Sequence, residues 1–258
     1  MTYHPVFVPQ QPTPQISEPS LSIAPLTAKL NKWKIELDND IDREFLIDGI
    51  QYGFKIASPP ENIKCVHRNN YNSATKENRD LVEKQIIHEI QLGRYQICDY
   101  PPAIVSSIGA IPKKSGGCRL IHDCSKPVGC SVNSYTTRHH FKYQTVDNAV
   151  ELLPQSGWMA KIDLSSAYRS VGIHPSCYKL MGLHWIFSGD SNPTYFYDTR
   201  FCFGGSECPE KFQRLSNAVT RMMQRRGYTV CAYLDDYLVI APTQMECDIA
   251  YKELVMLL

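Results

Sequence analysis

Two adjacent acids, Asp235 and Asp236, interrupt the apolar run YLDDYLVI between Tyr233 and Ile240. In a strand with alternating side chains, one of the two would enter the core. A tight turn at Asp235-Asp236 avoids this by carrying both carboxylates to the tip of a hairpin with buried arms. Carboxylates at such a tip are hard oxygen donors suited to Mg²⁺, and an ordinary surface turn is the plainer alternative. A second apolar strand, within WMAKIDLSSAYRSV, also ends in an acid, Asp163, which lies 72 residues before Asp235. Three carboxylates at the ends of two buried strands can hold two divalent ions about 3.5–4 Å apart, the arrangement that serves in-line phosphoryl and nucleotidyl transfer.

The elements that must position these acids are legible in the surrounding pattern. Residues 1–26 hold six of the 17 prolines among Gln, Ser and Thr, which reads as a flexible leader. A helical lead-in follows over 27–95. Its first part, Thr27 to Ile56, carries Trp33, Ile35, Leu37, Phe45, Leu46, Ile50 and Phe54, and residues 57–72 form a loop broken by Pro59-Pro60. A charged helix runs from about Thr75 to Leu92, with Leu81, Ile86, Ile87 and Ile90 as its stripe and Gly93 after its end. From 96 to 258 the texture is strand-rich. Ala103–Ile111 and Cys118–Cys124 read as two strands joined by KKSGG. A helix capped by Thr145 turns Val146, Ala149, Val150 and Leu153 to the core. Strands are expected at Trp158–Leu164, Leu180–Phe187, Thr194–Arg200, Tyr228–Leu234 and Tyr237–Ala241. A helix opened by Pro209 and closed by Gly227 buries Phe212, Leu215, Val219, Met222 and Met223. Thr243 and Glu246 form a capping box that starts a last helix. Strands and helices cluster rather than alternate, so the class is α+β with a mostly antiparallel sheet.

Composition narrows the function. Hydrophobic residues at 43% and charged residues at 21% are ordinary for a globular chain. The start, MTYHPVFVPQQPTPQ, lacks the charged and apolar regions of a secretory signal, and no apolar stretch approaches the roughly 18–20 residues of a membrane span. The expected location is intracellular, in cytoplasm or nucleus, with no membrane partner. The net charge of +1 is low for a nucleic-acid binder, so any phosphate affinity must be local. Ten cysteines include no CxxC pair. Cys118, Cys124 and Cys130, with His122 among them, have a six-residue period that matches no common zinc spacing, which favours buried free thiols.

Taken together, AKIDLSSAYRSV followed by YLDD resembles the A and C motifs of reverse transcriptases. FGGSECPEKFQRL, from Phe203 to Leu215, resembles the B motif, a glycine turn followed by Pro and Phe opening a helix. IPKKSGGCRLIHDCS, from Ile111 to Ser125, resembles the hairpin that grips the incoming triphosphate. All four occur in the family's order. Finer stretches, CRLIHDCSKPVGCSVN, TVDNAVELL, HPSCYKLMGLHW and the upstream FLIDGIQYGFKI, resemble polymerases of tyrosine-recombinase (DIRS-type) retrotransposons.

The resemblance implies a right-hand polymerase: fingers and an antiparallel palm sheet packed on helices, over residues 96–258. A further strand and a thumb would follow, so the chain is read as ending before the thumb. It implies RNA-directed DNA synthesis from deoxynucleoside triphosphates on a primed RNA or DNA template, with two Mg²⁺ ions or Mn²⁺ in their place. Asp163, Asp235 and Asp236 match the catalytic acids, with the Leu164 carbonyl as an added metal ligand. Tyr168 matches the residue that stacks under the sugar and blocks a 2′-hydroxyl, beside Ser166 and Ala167. Arg119 and one of Lys113 or Lys114 match the triphosphate grip, and Phe203 and Gly204 border the nucleotide. Asp123, Pro209, Tyr233 and Leu234 match positions along template and primer. Arg221, Arg225 and Arg226 form a basic helix end that the helix dipole explains without nucleic acid. Glu207 departs from the pattern, because an acid in the glycine turn would repel phosphate. The alternative class is a catalytically silent relic, or a nucleic-acid-binding protein that keeps the fold. An RNA-templated RNA polymerase is disfavoured by Tyr168.

Overall fold

The computed structural model describes residues 22–114, 116–137 and 141–258. Most of the Pro-rich leader, and Ser115 of the KKSGG turn, lie outside the described residues. The described residues open with three helices, α1 (Pro25–Ala28), α2 (Leu30–Glu36) and α3 (Arg43–Tyr52), then a short strand β1 (Val66–His67). A π-turn over Ser73–Glu77 leads into α4 (Arg79–Gln91). Strands β2 (Tyr95–Cys98), β3 (Ile104–Val105), β4 (Ile108–Pro112) and β5 (Cys118–His122) precede helix α5 (Val146–Leu152). There follow β6 (Trp158–Asp163), β7 (Gly182–Trp185), β8 (Thr194–Asp198), α6 (Cys208–Arg225), β9 (Thr229–Tyr233), β10 (Asp236–Ala241) and α7 (Gln244–Leu257). No helix among the described residues is long and apolar enough to cross a membrane.

The described strands form three sheets. The first, β6-β10-β9, is antiparallel, with α6 against β9 and α7 against β10 and β6. The second runs β1-β3-β7-β8-β2 and is mixed, because β1, β3 and β7 are parallel while β7, β8 and β2 are antiparallel. The third is the hairpin β4-β5, with Ile108 opposite His122 and Pro112 opposite Cys118. The long helix α6 forms where expected. Pro209 occupies its first turn, where a missing N–H costs nothing. Phe212, Leu215, Val219, Met222 and Met223 are all buried. Gly227, at φ 84°, ends it in a Schellman motif, with Tyr228 N donating to Met223 O and Gly227 N to Gln224 O.

Several expectations are corrected. Ala103–Ile111 is two strands, not one. Ser106 N donates to Gly182 O and Ser107 Oγ to Asn69 O, so the chain changes sheets between Val105 and Ile108. A continuous apolar run gives no period from which that break can be read. Tyr95–Cys98, which straddles the expected boundary at 95/96 and is not among the expected strands, is a strand paired to β8. On α4 it is Val82 that is buried, and Leu81 is exposed. Helix α5 is capped by Thr145 as expected, but none of its residues is buried, and Val146 is 79% exposed. Periodicity shows that a face is apolar, not that anything covers it. Arg221, Arg225 and Arg226 reach acids of the N-terminal helices: Arg221 pairs with Asp40 and Asp42, Arg225 with Asp40, and Arg226 with Glu36.

The two hydrophobic clusters, one under the three-stranded sheet and one between α4, β2 and the hairpin, meet at Arg169. Its Nη2 and Nε donate to Glu89 Oε2 at 2.8 and 3.1 Å, and Nη1 donates to Asp198 Oδ2 at 2.7 Å and Phe201 O at 3.0 Å. The guanidinium also lies 5.4 Å from the Tyr95 ring. Removing one member of a buried ionic set strands the others in low dielectric, at a cost of about 3–5 kcal/mol. Arg169→Met is therefore expected to lower the unfolding free energy by that amount, read as a lower urea midpoint at an unchanged slope. A change below about 1 kcal/mol would show that Glu89 and Asp198 find other partners.

Candidate active site

Asp163, the last residue of β6, is the cross-strand partner of Asp236, the first residue of β10. Tyr233 pairs with Asp236 on the other side, so the turn residues are Leu234 and Asp235 rather than Asp235 and Asp236. Leu234 sits at φ 51°, a left-handed conformation that costs a non-glycine residue about 1–2 kcal/mol. Helix α6 holds it there. Gln213 Oε1 accepts from Leu234 N at 2.8 Å, Ser216 Oγ donates to Leu234 O at 2.6 Å, and Gln213 Nε2 donates to Ala232 O at 3.1 Å. Leu164 N donates to Asp235 O at 3.1 Å, joining the two acid-bearing segments. Ser166, at φ 54°, then turns the chain so that Ala167 and Tyr168 point inward.

Asp163 and Asp235 line a cleft of about 550 Å³ between this sheet and the hairpin β4-β5, together with Leu164, Ser166, Ala167 and Leu234. Asp236 does not line it. Its Oδ1 pairs with Lys161 Nζ at 2.9 Å. Burial, then the like charges of Asp163 and Asp236, raise the Asp235 carboxyl above its ordinary value, with Arg119 opposing. The cleft thus concentrates negative charge that a divalent cation would offset, and the donors are the hard oxygens such an ion takes.

The opposite wall carries Lys113 and Arg119. Lys114 is exposed and does not line the cleft. The Arg119 guanidinium lies 4.7 Å from the centre of the Phe203 ring. Phe203 in turn stacks on Tyr168 at 5.2 Å and 17°. Tyr168, only 9% exposed, rests on Phe212 of α6 at 5.3 Å, and burial raises its phenol well above the ordinary value. Cation, Phe203 and Tyr168 form one column from the hairpin to the helix.

Other expected residues stand apart. Asp123 accepts from the Tyr71 hydroxyl and from Ser125 N, outside the cleft. Tyr233 is exposed beside Tyr143, at 4.9 Å. Glu207 is buried and paired with Lys211 one helical turn on, so it offers no bare charge to a phosphate. Sequence reasoning missed Gln213, Ser216 and Lys161, which position the acids. Gln213 sits inside FGGSECPEKFQRL, but nothing in its type shows that it clamps a distant turn.

The sequence of residues 111–258, more than half of the chain, matches the family described as reverse transcriptase (RNA-dependent DNA polymerase). The chain belongs to that family. Among curated proteins the sequence has no match. The mixed α+β fold is similar to a foamy viral protease-reverse transcriptase in complex with dsDNA, with a TM-score of 0.61 at 16% identity over 88% of this chain and 49% of that one. A second foamy viral complex with ds DNA, titled dRH, gives 0.62 at 14% identity over 97% and 43%. The native Prototype Foamy Virus protease-reverse transcriptase gives 0.57 at 16% identity over 97% and 33%. This reverse transcriptase chain spans half or less of the solved chains it resembles, and at these identities the likeness is one of fold.

Within the family stretch, Gly204 makes the closest approach. It adopts φ 133°, and a Cβ there would lie 1.8 Å from His122 O. Asn133 fastens the same turn, donating to Gly204 O and accepting from Ser206 N, both at 2.9 Å. Gly204→Ala must therefore move backbone against backbone. The expected loss is at least about 2 kcal/mol in urea unfolding; a neutral variant would mean that the turn shifts freely.

Proposed function

We propose that the chain is the fingers and palm of a retrotransposon reverse transcriptase, most like the tyrosine-recombinase type, acting as an RNA-directed DNA polymerase. On this reading the hairpin β4-β5 belongs to the fingers and the sheet β6-β10-β9 to the palm. The observation that carries the reading is one cleft with Asp163 and Asp235 on one wall and Lys113 and Arg119 on the other. Acids that attract divalent ions and cations that attract phosphate, facing each other across nucleotide-sized space, suit transfer of a nucleotide from a triphosphate.

Asp163, Asp235 and the Leu164 carbonyl would hold Mg²⁺, or Mn²⁺ in its place, with Asp236 joining them on leaving Lys161. Such ions, when bound, activate a primer 3′-hydroxyl and stabilise a leaving pyrophosphate. The chain's own residues orient and exclude. Arg119 presents a planar fork to phosphate oxygens and Lys113 a point charge. Arg119's stack on Phe203 fixes the plane of that fork. Tyr168 fills the floor below Phe203, where a sugar bearing only hydrogen at its 2′ carbon fits and a hydroxyl collides. On this reading Tyr233, Leu234, Pro209 and Asp123 would contact template and primer.

Primer extension on an RNA template with deoxynucleotides and Mg²⁺ tests the reading. Asp163→Asn and Asp235→Asn should each reduce the rate more than about a thousandfold, since the charge stabilisation they support is worth several kcal/mol. No extension by the wild-type chain on any primed template would favour the silent relic. Sugar choice gives a separate check. Tyr168→Val should lower the preference for deoxy- over ribonucleotides by about tenfold or more, because it removes a clash and adds no contact. Unchanged selectivity would leave Tyr168 as a core residue only.

A further inference from the structure

A second constellation lies at the inner side of the cleft, with His122 and Cys202 among the lining residues, and takes no part in the reading above. His122 closes β5, Cys124 follows two residues later, and Cys202 and Cys208 bracket the glycine turn before α6. All four are buried: His122 and Cys202 at 4% exposure, Cys124 and Cys208 at 0%. Ligand atoms of His122, Cys124 and Cys202 lie within 4.8 Å of one another, the one such grouping among the described residues. The Cys124 and Cys202 sulfurs are 3.8 Å apart. Two thiolates at about 2.3 Å from a tetrahedral zinc ion stand about 3.8 Å from each other, so this pair already spans one edge of a coordination tetrahedron.

The histidine supplies an independent sign. Neither His122 Nδ1 nor Nε2 has a hydrogen-bond partner, although the ring is buried. Buried polar groups are satisfied as a rule, and an unpaired imidazole facing two thiols is a ligand in waiting. Cys208 is the next sulfur outside that three-residue grouping: its thiol and that of Cys202 both lie against Gly205, where an added Cβ would stand 2.9 and 3.6 Å from them.

We propose that His122, Cys124 and Cys202 bind a structural Zn²⁺ ion, with Cys208 turning its thiol in as the fourth ligand of a Cys₃His site. Three thiols surrender their protons to solvent as the metal binds, and one neutral imidazole nitrogen donates its lone pair. Soft sulfur ligands exclude Mg²⁺ from the position and keep it distinct from the aspartate site. The ion would rivet the hairpin that carries Arg119 to the turn that carries Phe203, segments already joined by the bond from His122 N to Phe203 O at 2.9 Å. Linear spacing hid the site because its halves lie 80 residues apart, and the regular Cys118-Cys124-Cys130 series contributes a single ligand to it.

Titration of the reduced, chelator-stripped full chain with Co²⁺ alone is the test, since it needs neither substrate nor activity. The expected result is a thiolate-to-cobalt charge-transfer band in the near ultraviolet with strong tetrahedral visible bands, saturating at about one ion per chain and displaced by Zn²⁺. Cys124→Ser and Cys202→Ser should lose the charge-transfer band, and Cys65→Ser, at an exposed cysteine, should keep it. A wild-type spectrum without that band overturns the proposal whatever the variants do.

Discussion

The buried guanidinium of Arg169 is the contact on which the rest of the molecule hangs. It follows Tyr168 directly in the segment leading away from Asp163, and its ion pairs reach α4 through Glu89 and the mixed sheet through Asp198. Both carboxylates resist burial. Asp198 is pushed up to about 6 by desolvation even with Arg169 beside it. Glu89, though desolvated, is held below its ordinary value by Arg169, Arg94 and Gln85. A planar, permanently charged group with five donors is the one side chain that can satisfy both at once. The ring of Tyr168 is thus fixed from behind by an ionic anchor and from above by Phe203, and these same residues continue the lining of the cleft around it.

The same economy explains how a chain of net charge +1 can present a cationic wall. Most of the arginines discussed above serve the fold. Arg169 joins the two cores, and Arg214 lies 3.5 Å from the Phe45 ring while pairing with Asp42. Arg221, Arg225 and Arg226 bind α6 to the acids between α2 and α3. Lys211 neutralises Glu207. Lys113 and Arg119 stand on the cleft, near Asp163 and Asp235, where a few charges act across a short distance and a low-dielectric wall. Whole-chain charge is a poor guide to such a site because it adds the structural pairs to the functional ones.

What was legible in the sequence is what local physics dictates. Asp163 and Asp235 announced themselves by breaking apolar strands, and α6 announced its face and both ends. Sequence pattern sets the turn between β9 and β10 one residue late, because no propensity argument puts a leucine at positive φ. Only Gln213 and Ser216, about twenty residues earlier, make that conformation tolerable. The strand Ala103–Ile111 hid its change of sheet in an unbroken apolar run. Helix α5 shows the converse, a clear periodicity whose apolar side remains exposed. In each case the missing information was the identity of a partner remote in sequence.

Partnership at long range also decides what the folding unit is. The family match starts at Ile111, yet Gln85, Glu89 and Tyr95 contribute to the wall of the cleft. Strand β2 extends the mixed sheet by pairing with β8, and Ile86 and Ile90 of α4 share a core with Leu183 and Phe196. Strand β4 straddles the boundary itself, with Ile108, Gly109 and Ala110 before it and the rest of the hairpin after. Residues 22–110 are therefore not an appendage to a self-sufficient family module. They supply Glu89, one of the two carboxylates that hold Arg169, and Arg169 follows directly on the segment between Asp163 and Tyr168. The stretch that carries the family's recognisable motifs is shorter than the stretch that physics needs in order to place them.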